Sequence, residues 1–457
     1  MEWLTILPPV AALAVAVWTR NVYWALGLAI ILSETLIASY NPGLGVLAGI
    51  DRAVGVFDST GNTRILLFCL IIGALIAYMQ RSGGISAMVE KLHSSGLAST
   101  PRRAGLVSAI SGVLIFVETN VSLLASGVLG RPLFDRLKVS RARLAYIIDS
   151  TCSPISVLIL LNGWGAYIAT LMANNGVENE FGVLFQTIML NFYPLLTIAG
   201  VFATVLIGRT FGPMARVEAN WSPPSEAADG VPADDQVEAP SKAIYMGIPL
   251  LILIGGALGF MVWTGEGDIR RGSGSTSILY AVILATAVAF IFLLLSRRAK
   301  GEAVNIGFKG MGDLLPAVTV IFLALVLGDS LKALGTGEFI AAMAADIPVP
   351  FAIPAILFVA AGITSFTTGT SWGTYGILVP IAIPLAVGAG IPLPLAVAAV
   401  MGGGVFGDHC SPISDTTIIA SLASGCDHME HVRTQLPYAL VAGLGAIALY
   451  LAAGLFS

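Results

Sequence analysis

The sequence predicts an all-α membrane protein of about ten transmembrane helices plus two re-entrant hairpins, in two inverted-topology repeats with broken helices. Three observations predict it. The composition is apolar in span-length runs, Lys and Arg fall on one side of a simple span map, and a five-residue element occurs twice.

Of 457 residues, 56% are hydrophobic and 11% charged, with a mean hydropathy of +0.88. Soluble proteins carry roughly a quarter charged residues, so this chain lacks the polar surface to remain in water. A bilayer core takes about 20 apolar residues per helix. Windows of that kind lie near 4–19, 22–40, 63–80, 142–170, 183–208, 244–263, 276–296, 312–328, 392–424 and 433–456. The net charge of −4, with no basic run, gives no support for nucleic-acid binding. Met1-Glu2-Trp3 lacks the basic start of a cleavable signal, so the first helix is expected to be retained. Cys69, Cys152, Cys410 and Cys426 are scattered singly, without metal-ligand spacing, and read as small packing residues.

Two further apolar stretches, 104–130 and 351–385, are placed by charge. The loop 81–103 holds Arg81, Lys91, Arg102 and Arg103, and the loop 131–143 holds Arg131, Arg136, Lys138, Arg141 and Arg143. Cytoplasmic loops concentrate Lys and Arg, so the segment between them enters and leaves on one face as a hairpin. With 351–385 as a second hairpin on the opposite face, all but Arg52, Arg64, Arg270, Arg271 and Lys332 of the 23 basic residues become cytoplasmic. Both termini then fall outside the cytoplasm.

Cys152-Ser153-Pro154-Ile155-Ser156 recurs as Cys410-Ser411-Pro412-Ile413-Ser414. Each copy follows a hairpin, and each hairpin follows an amphipathic stretch opening on glycine: Gly83-Gly84 through Leu97, and Gly335 through Ile347. Each half therefore holds five spans and a hairpin, and an odd number of spans inverts the second copy. The repeats are 1–208 and 244–457, joined by a cytoplasmic acidic linker, 209–243, whose polar Pro223-to-Pro240 stretch reads as a disordered tether.

A proline inside a membrane helix removes one backbone hydrogen bond, and the broken helix is tolerated where it lines a cavity. Pro154 and Pro412 mark two such breaks, in windows 142–170 and 392–424. Exposed helix ends there offer carbonyls to cations and amides to anions. Ionisable residues at membrane depth cost at least about 2.5–3.5 kcal/mol on insertion scales, and they cluster at the same places. Asp149 precedes the first break, while Asp408, His409 and Asp415 bracket the second. Glu118, Thr119 and Asn120 mark the first hairpin tip; the second runs Thr367 through Thr374 and carries hydroxyls without charge. Such oxygen ligands suit Na⁺, whereas the carboxylates or His409 would carry protons. By this map no Lys or Arg reaches the midplane. Glu34, without a counterpart in the second half, reads equally as a satisfied polar residue or a functional one. His428 and His431 read as solvated residues of a short cytoplasmic loop.

Gly407-Asp408-His409-Cys410-Ser411-Pro412-Ile413-Ser414-Asp415-Thr416-Thr417, preceded by Thr370-Ser371-Trp372-Gly373-Thr374, resembles the signature of the NhaC-type sodium/proton antiporter family. That family is similar to the wider ion transporter superfamily, which includes divalent-anion/sodium symporters. The resemblance implies a scaffold, a mobile transport domain with paired hairpins, often a homodimer, Na⁺ as coupling ion with H⁺ as counter-ion, and residence in the cell inner membrane. Carried onto this chain, it implies one site at Glu118, Thr119, Asn120 and Ser153, and a second at Thr368, Thr370, Ser371, Ser411 and Asp415. Na⁺ would be held through Glu118, Asn120, Ser153, Thr370, Ser411 and Asp415, with Asp149, Asp408 and His409 also in the binding region. The symporters' usual Ser-Asn-Thr tips are replaced here by Glu118-Thr119-Asn120 and Thr368-Gly369-Thr370.

The reading that follows is a secondary transporter exchanging Na⁺ for H⁺ by alternating access. The rival is Na⁺- or H⁺-coupled movement of a small organic substrate, an amino acid, an amine or a carboxylate such as malate or lactate. A channel would need a continuous polar pore, whereas the Gly- and Pro-interrupted repeats argue for alternating access. A membrane-embedded hydrolase would need Asp408, His409 and Ser411 as a triad, yet the duplicated element has no second His. Single-cysteine labelling should place positions 135 and 300 on the same, cytoplasmic face; labelling from opposite faces would break this topology.

Overall fold

The computed structural model describes residues 2–94, 99–116, 118–222, 238–268, 272–299 and 301–457. Every regular element among them is helical. Among the described residues nine helices are long and apolar enough to cross a bilayer, or ten if one bent pair is counted as a span.

A short 3-10 turn, Glu2–Ile6, leads into α1 (Leu7–Thr19). The Asn21 side chain then caps α2 (Val22–Ile37), accepting from the Tyr23 and Trp24 N–H groups. Ser39 and Tyr40 take positive φ, Asn41 caps α3 (Pro42–Gly55), and the chain turns by 115°. The window 22–40 therefore ends early and α3 was missed, because its Asp51-Arg52 pair and glycines keep its hydropathy low. Glu34 is a satisfied polar residue: it is buried, takes Arg52 Nε at 2.8 Å and accepts from Ser330 Oγ at 2.7 Å.

The rest of the first half is α4 (Thr60–Arg81), the amphipathic α5 (Gly84–Ser94), a helical hairpin of α6 (Pro101–Leu114) and α7 (Thr119–Arg136), then α8 (Arg141–Ser156), α9 (Gly163–Asn174), α10 (Glu180–Leu190) and α11 (Phe192–Ile207). Residues 95–97 of the first amphipathic stretch lie outside the described residues. The window 142–170 divides into α8 and α9, of about 24 and 18 Å at 1.5 Å per residue. Neither spans alone. The chain unwinds not at Pro154, which stays in the last turn of α8, but over 157–162. The window 183–208 likewise divides, at Asn191.

The linker opens with a helix. In α12 (Gly212–Asn220) Met214 is buried, and Glu218 accepts from Ser140 Oγ at 2.5 Å and pairs with Arg143 at 3.8 Å. At the far end of the linker Glu238 pairs with Arg81, and Ser241 Oγ donates to Ser82 O at 2.5 Å. The acidic stretch 223–237 lies outside the described residues, as do Arg270, Arg271 and position 300.

The second half holds α13 (Ile244–Thr264), α14 (Gly274–Leu295), α15 (Ala303–Asp313), α16 (Leu315–Ala333), amphipathic α17 (Thr336–Ala345), a hairpin of α18 (Ile353–Thr368) and α19 (Ser371–Ala389), α20 (Leu393–Cys410), α21 (Asp415–Ser424) and α22 (His428–Leu455). The arms of this second hairpin are each near span length, longer than α6. The break between α20 and α21 falls at Ser411–Ser414, on the duplicated element itself. Large apolar side chains such as Trp18, Trp24, Leu251 and Trp263 remain exposed around the perimeter, as lipid contact requires.

Small residues let α20 lie against α18. A Cβ on Gly407 would overlap the Gly362 carbonyl oxygen and lie 2.6 Å from the Phe366 nitrogen; one on Gly403 would overlap the Phe358 carbonyl oxygen. This contact seats the second break beneath its hairpin tip. Gly407→Val should cost about 1–3 kcal/mol or more by overpacking, seen as a lower unfolding temperature of the purified protein, whereas Gly328→Ala, with open space at its Cβ, should leave it unchanged.

Candidate functional site

The two hairpin tips and the second break converge on one cavity of about 440 Å³. At the first tip, Glu118 caps α7 by accepting the Val121 N–H at 2.6 Å. Thr119 Oγ1 lies 2.9 Å from Ser156 Oγ, which ties the tip to the end of α8. Asn120 Nδ2 donates to Asp415 Oδ2 at 3.4 Å, while its Oδ1 is buried with no partner among the described residues. The second tip turns at Gly369, whose φ of 69° suits glycine and whose place beside the Ile413 carbonyl excludes a side chain.

Asp408 secures the second break. Its Oδ2 accepts from Ser371 Oγ at 2.9 Å, and its Oδ1 from Ser414 Oγ at 2.6 Å. One carboxylate thereby joins the end of α20 to the start of α19 and to the residue that precedes α21. Asp415, the first residue of α21, accepts the Thr416 N–H at 3.0 Å as well as the Asn120 amide, and lines the cavity. Carboxylates at a helix N-terminus are held by its unpaired amides and dipole.

Of the twelve residues singled out from sequence, Glu118, Thr119, Asn120, Thr368, Thr370, Asp408 and Asp415 line the cavity. Ser371 sits behind it on Asp408. Ser411 Oγ is spent on the Phe366 carbonyl at 2.7 Å. Asp149, Ser153 and His409 lie off the cavity in a separate cluster: Ser153 Oγ donates to Asp149 Oδ1 at 3.4 Å, and His409 Nε2 is 4.0 Å from Asp149 Oδ2. The structure thus brings Glu118, Thr119 and Asn120 together with the second tip and second break, and leaves Ser153 apart.

Sequence reasoning missed several residues. Arg20 lines the cavity from the left-handed turn between α1 and α2 (φ 55°), so a basic residue does border it; Asp313, which ends α15, lines it too. Asn162 organises the first break, donating to Phe116 O at 3.2 Å and Ser156 O at 2.7 Å while capping α9. Its place in Asn162-Gly163, between two helices, was the available signal. Trp164 stacks on Trp372 of the second tip with centroids 3.9 Å apart. His431 and His428 are not simply solvated loop residues: the first is buried, and the second is half-buried and hydrogen-bonded. His431 is fully buried on α22 and meets Asp149 at 3.2 Å, while His428 Nε2 meets the Pro412 carbonyl at 2.7 Å. They belong to α22, which Asp427 caps and whose first turns pack on α8 and α21. The four cysteines are free; Cys69, Cys152 and Cys410 are buried and Cys426 half-buried.

The profile of the Na⁺/H⁺ antiporter family matches residues 145–455. An uncharacterised Haemophilus influenzae protein is 31% identical over 476 residues, covering 98% of this chain and 90% of that one. The malate-2H⁺/Na⁺-lactate antiporter of Bacillus subtilis is 49% identical over 74 residues, 16% of each chain. In fold, the chain is similar to MtrF of Neisseria gonorrhoeae, of a class described as antimetabolite efflux pumps, with a TM-score of 0.56 at 16% identity over 89% of this chain and 84% of that one. The chain belongs to the Na⁺/H⁺ antiporter family and is a multi-pass secondary transporter of the membrane.

Proposed function

We propose that the chain exchanges Na⁺ for H⁺ by alternating access, with the cavity as the shared site. The observation that carries this reading is the meeting of four carboxylates, Glu118, Asp313, Asp408 and Asp415, from four separate elements in one cavity. Asn120, Thr368 and Thr370 add neutral oxygens to the set. Hard oxygen donors of this kind suit Na⁺, and the same carboxylates take up a proton when the cation leaves. Ser371 and Ser414 orient Asp408, Ser411 braces the break, and Asn120 orients Asp415. Ser153 and Asp149 support the first broken helix from behind.

In this reading α6 to α9 and α18 to α21 move against α4 and α16, whose Cys69, Ile72, Val318 and Ile321 form the opposite wall. The matched order of helices supports two inverted repeats, 1–208 and 244–457, about the linker 209–243. Arg81 meets Glu238 and Arg143 meets Glu218, which supports a common cytoplasmic face for the basic loops and the linker ends. The cavity then opens toward that face beside Arg20 and Asp313. Residence in the cell inner membrane and assembly as a homodimer are carried over from the resemblance.

A second reading is favoured by the cavity's volume. About 440 Å³ exceeds what a bare Na⁺ fills, and Arg20 offers a partner for a carboxylate. Here Na⁺ or H⁺ drives a small organic solute.

In proteoliposomes, a Na⁺ jump with no other solute should raise a pH signal, and Asp408→Asn or Asp415→Asn should reduce it to that of empty vesicles while the protein stays monodisperse. Unchanged exchange in both variants would overturn the site. Silence of the wild type, together with a Na⁺-dependent thermal shift by an amino acid, amine or organic acid, would replace the first reading with the second.

A further inference from the structure

A fully buried polar cluster lies away from the cavity. Asp149 of α8, fully buried, has three polar side chains converging on it: Ser153 Oγ donates to Oδ1 at 3.4 Å and Gln435 Nε2 to Oδ2 at 2.7 Å, and His431 Nε2 lies 3.2 Å from Oδ2. His409 Nε2 stands 4.0 Å from Oδ2. His409 is held on both sides, its Nδ1 2.6 Å from Tyr193 Oη and its Nε2 2.9 Å from Ser150 Oγ. Gln435 Nε2 also donates to the His409 carbonyl at 2.8 Å, so α8, α20 and α22 are tied at one point.

Gln435 Nε2 can only donate, so Asp149 Oδ2 is an acceptor, and the Ser153 hydroxyl and the His431 imidazole beside it suit an ionised carboxylate. A lone buried carboxylate is costly, by several kcal/mol even after relaxation. Its ion-pair partners among the described residues are the two imidazoles. The other titratable groups near enough to act on the cluster electrostatically are Tyr146 and Cys152 of α8, Tyr193 of α11, Asp408 and Cys410 of α20 and Asp415 of α21. Phenols and thiols are ordinarily neutral below about pH 8, and the two aspartates add negative charge. None of them neutralises Asp149. A proton on an imidazole does.

We propose that Asp149, His409 and His431 form a buried proton-binding site, separate from the cation cavity, that holds one proton between the carboxylate and the imidazoles. Nothing in the exchange assigned to the cavity requires it. The two sites are one residue apart along α20: Asp408 faces the cavity, and His409 faces the cluster. His431 Nδ1 and Gln435 Oε1 are buried with no hydrogen-bond partner among the described residues, so the cluster has donor and acceptor capacity to spare for passing the proton on.

The test is ¹⁵N-histidine NMR of the full-length protein in lipid nanodiscs, with its four histidines assigned through single His→Gln variants. Between pH 6 and pH 8 one of His409 and His431 should be an imidazolium in the wild type. Asp149→Asn, which removes the charge at constant shape, should turn it neutral, while Asp408→Asn should leave it charged. Two neutral imidazoles in the wild type across that range overturn the proposal without needing any variant to fold. An imidazolium that survives Asp149→Asn overturns it as well. Failure of Na⁺-driven proton movement in proteoliposomes would remove the exchange reading, and the histidine spectrum would still decide the buried site independently.

Discussion

The architecture around the cavity depends on the two hydrogen bonds of Asp408. Where α20 unwinds, backbone groups lose their helical partners at a depth where water is scarce, and the protein itself has to meet them. Asp408 reaches across the gap to Ser414 and sideways to Ser371, so the break, the second hairpin tip and the start of α21 hold one shape. Ser411 adds a bond to Phe366 of the other hairpin arm. Without this brace the hairpin would have no fixed seat, and Gly369 could not lie against Ile413.

The first break solves the same problem without charge. Asn162 spans it with an amide, donating to the Ser156 carbonyl before the break and to the Phe116 carbonyl of the first hairpin, and capping α9. A neutral brace carries no ion of its own, so the charge at this end comes from Glu118 at the hairpin tip. The two halves therefore differ in where they keep their carboxylates: in the break itself in the second half, in the tip and in the buried Asp149 in the first. Trp164 and Trp372 join the halves by stacking, which closes the cavity wall with a surface that offers a cation no oxygen.

Charge also accounts for what is packed away from the cavity. Glu34 is neutralised by Arg52 and fixed to α16 by Ser330, and so holds the bent pair α2 and α3 against the wall facing the hairpins. Asp135 with Arg141 and Glu218 with Arg143 anchor the entry to α8. Each is a partly or wholly shielded pair, and each joins elements that are distant in sequence or separated by a turn.

Much of this was legible in the chain alone. Span-length apolar runs, the side preference of Lys and Arg, and the repeated Cys-Ser-Pro-Ile-Ser element determined a helical membrane protein with two breaks and two hairpins, because hydrocarbon tolerates helices and punishes unpaired backbone. The signature Gly407 to Thr417 marked Asp408 and Asp415, since charge at that depth requires a purpose. Only the tertiary structure decided how these residues divide. It set Asp408 toward the cavity and His409 away from it, an outcome of helical rotation between neighbours. It drew His431 out of an apparent loop onto Asp149, and it brought Arg20 and Asp313 to the cavity from turns far off in sequence. Those pairings depend on which helices pack together, and a local pattern of residues carries no record of its distant partner.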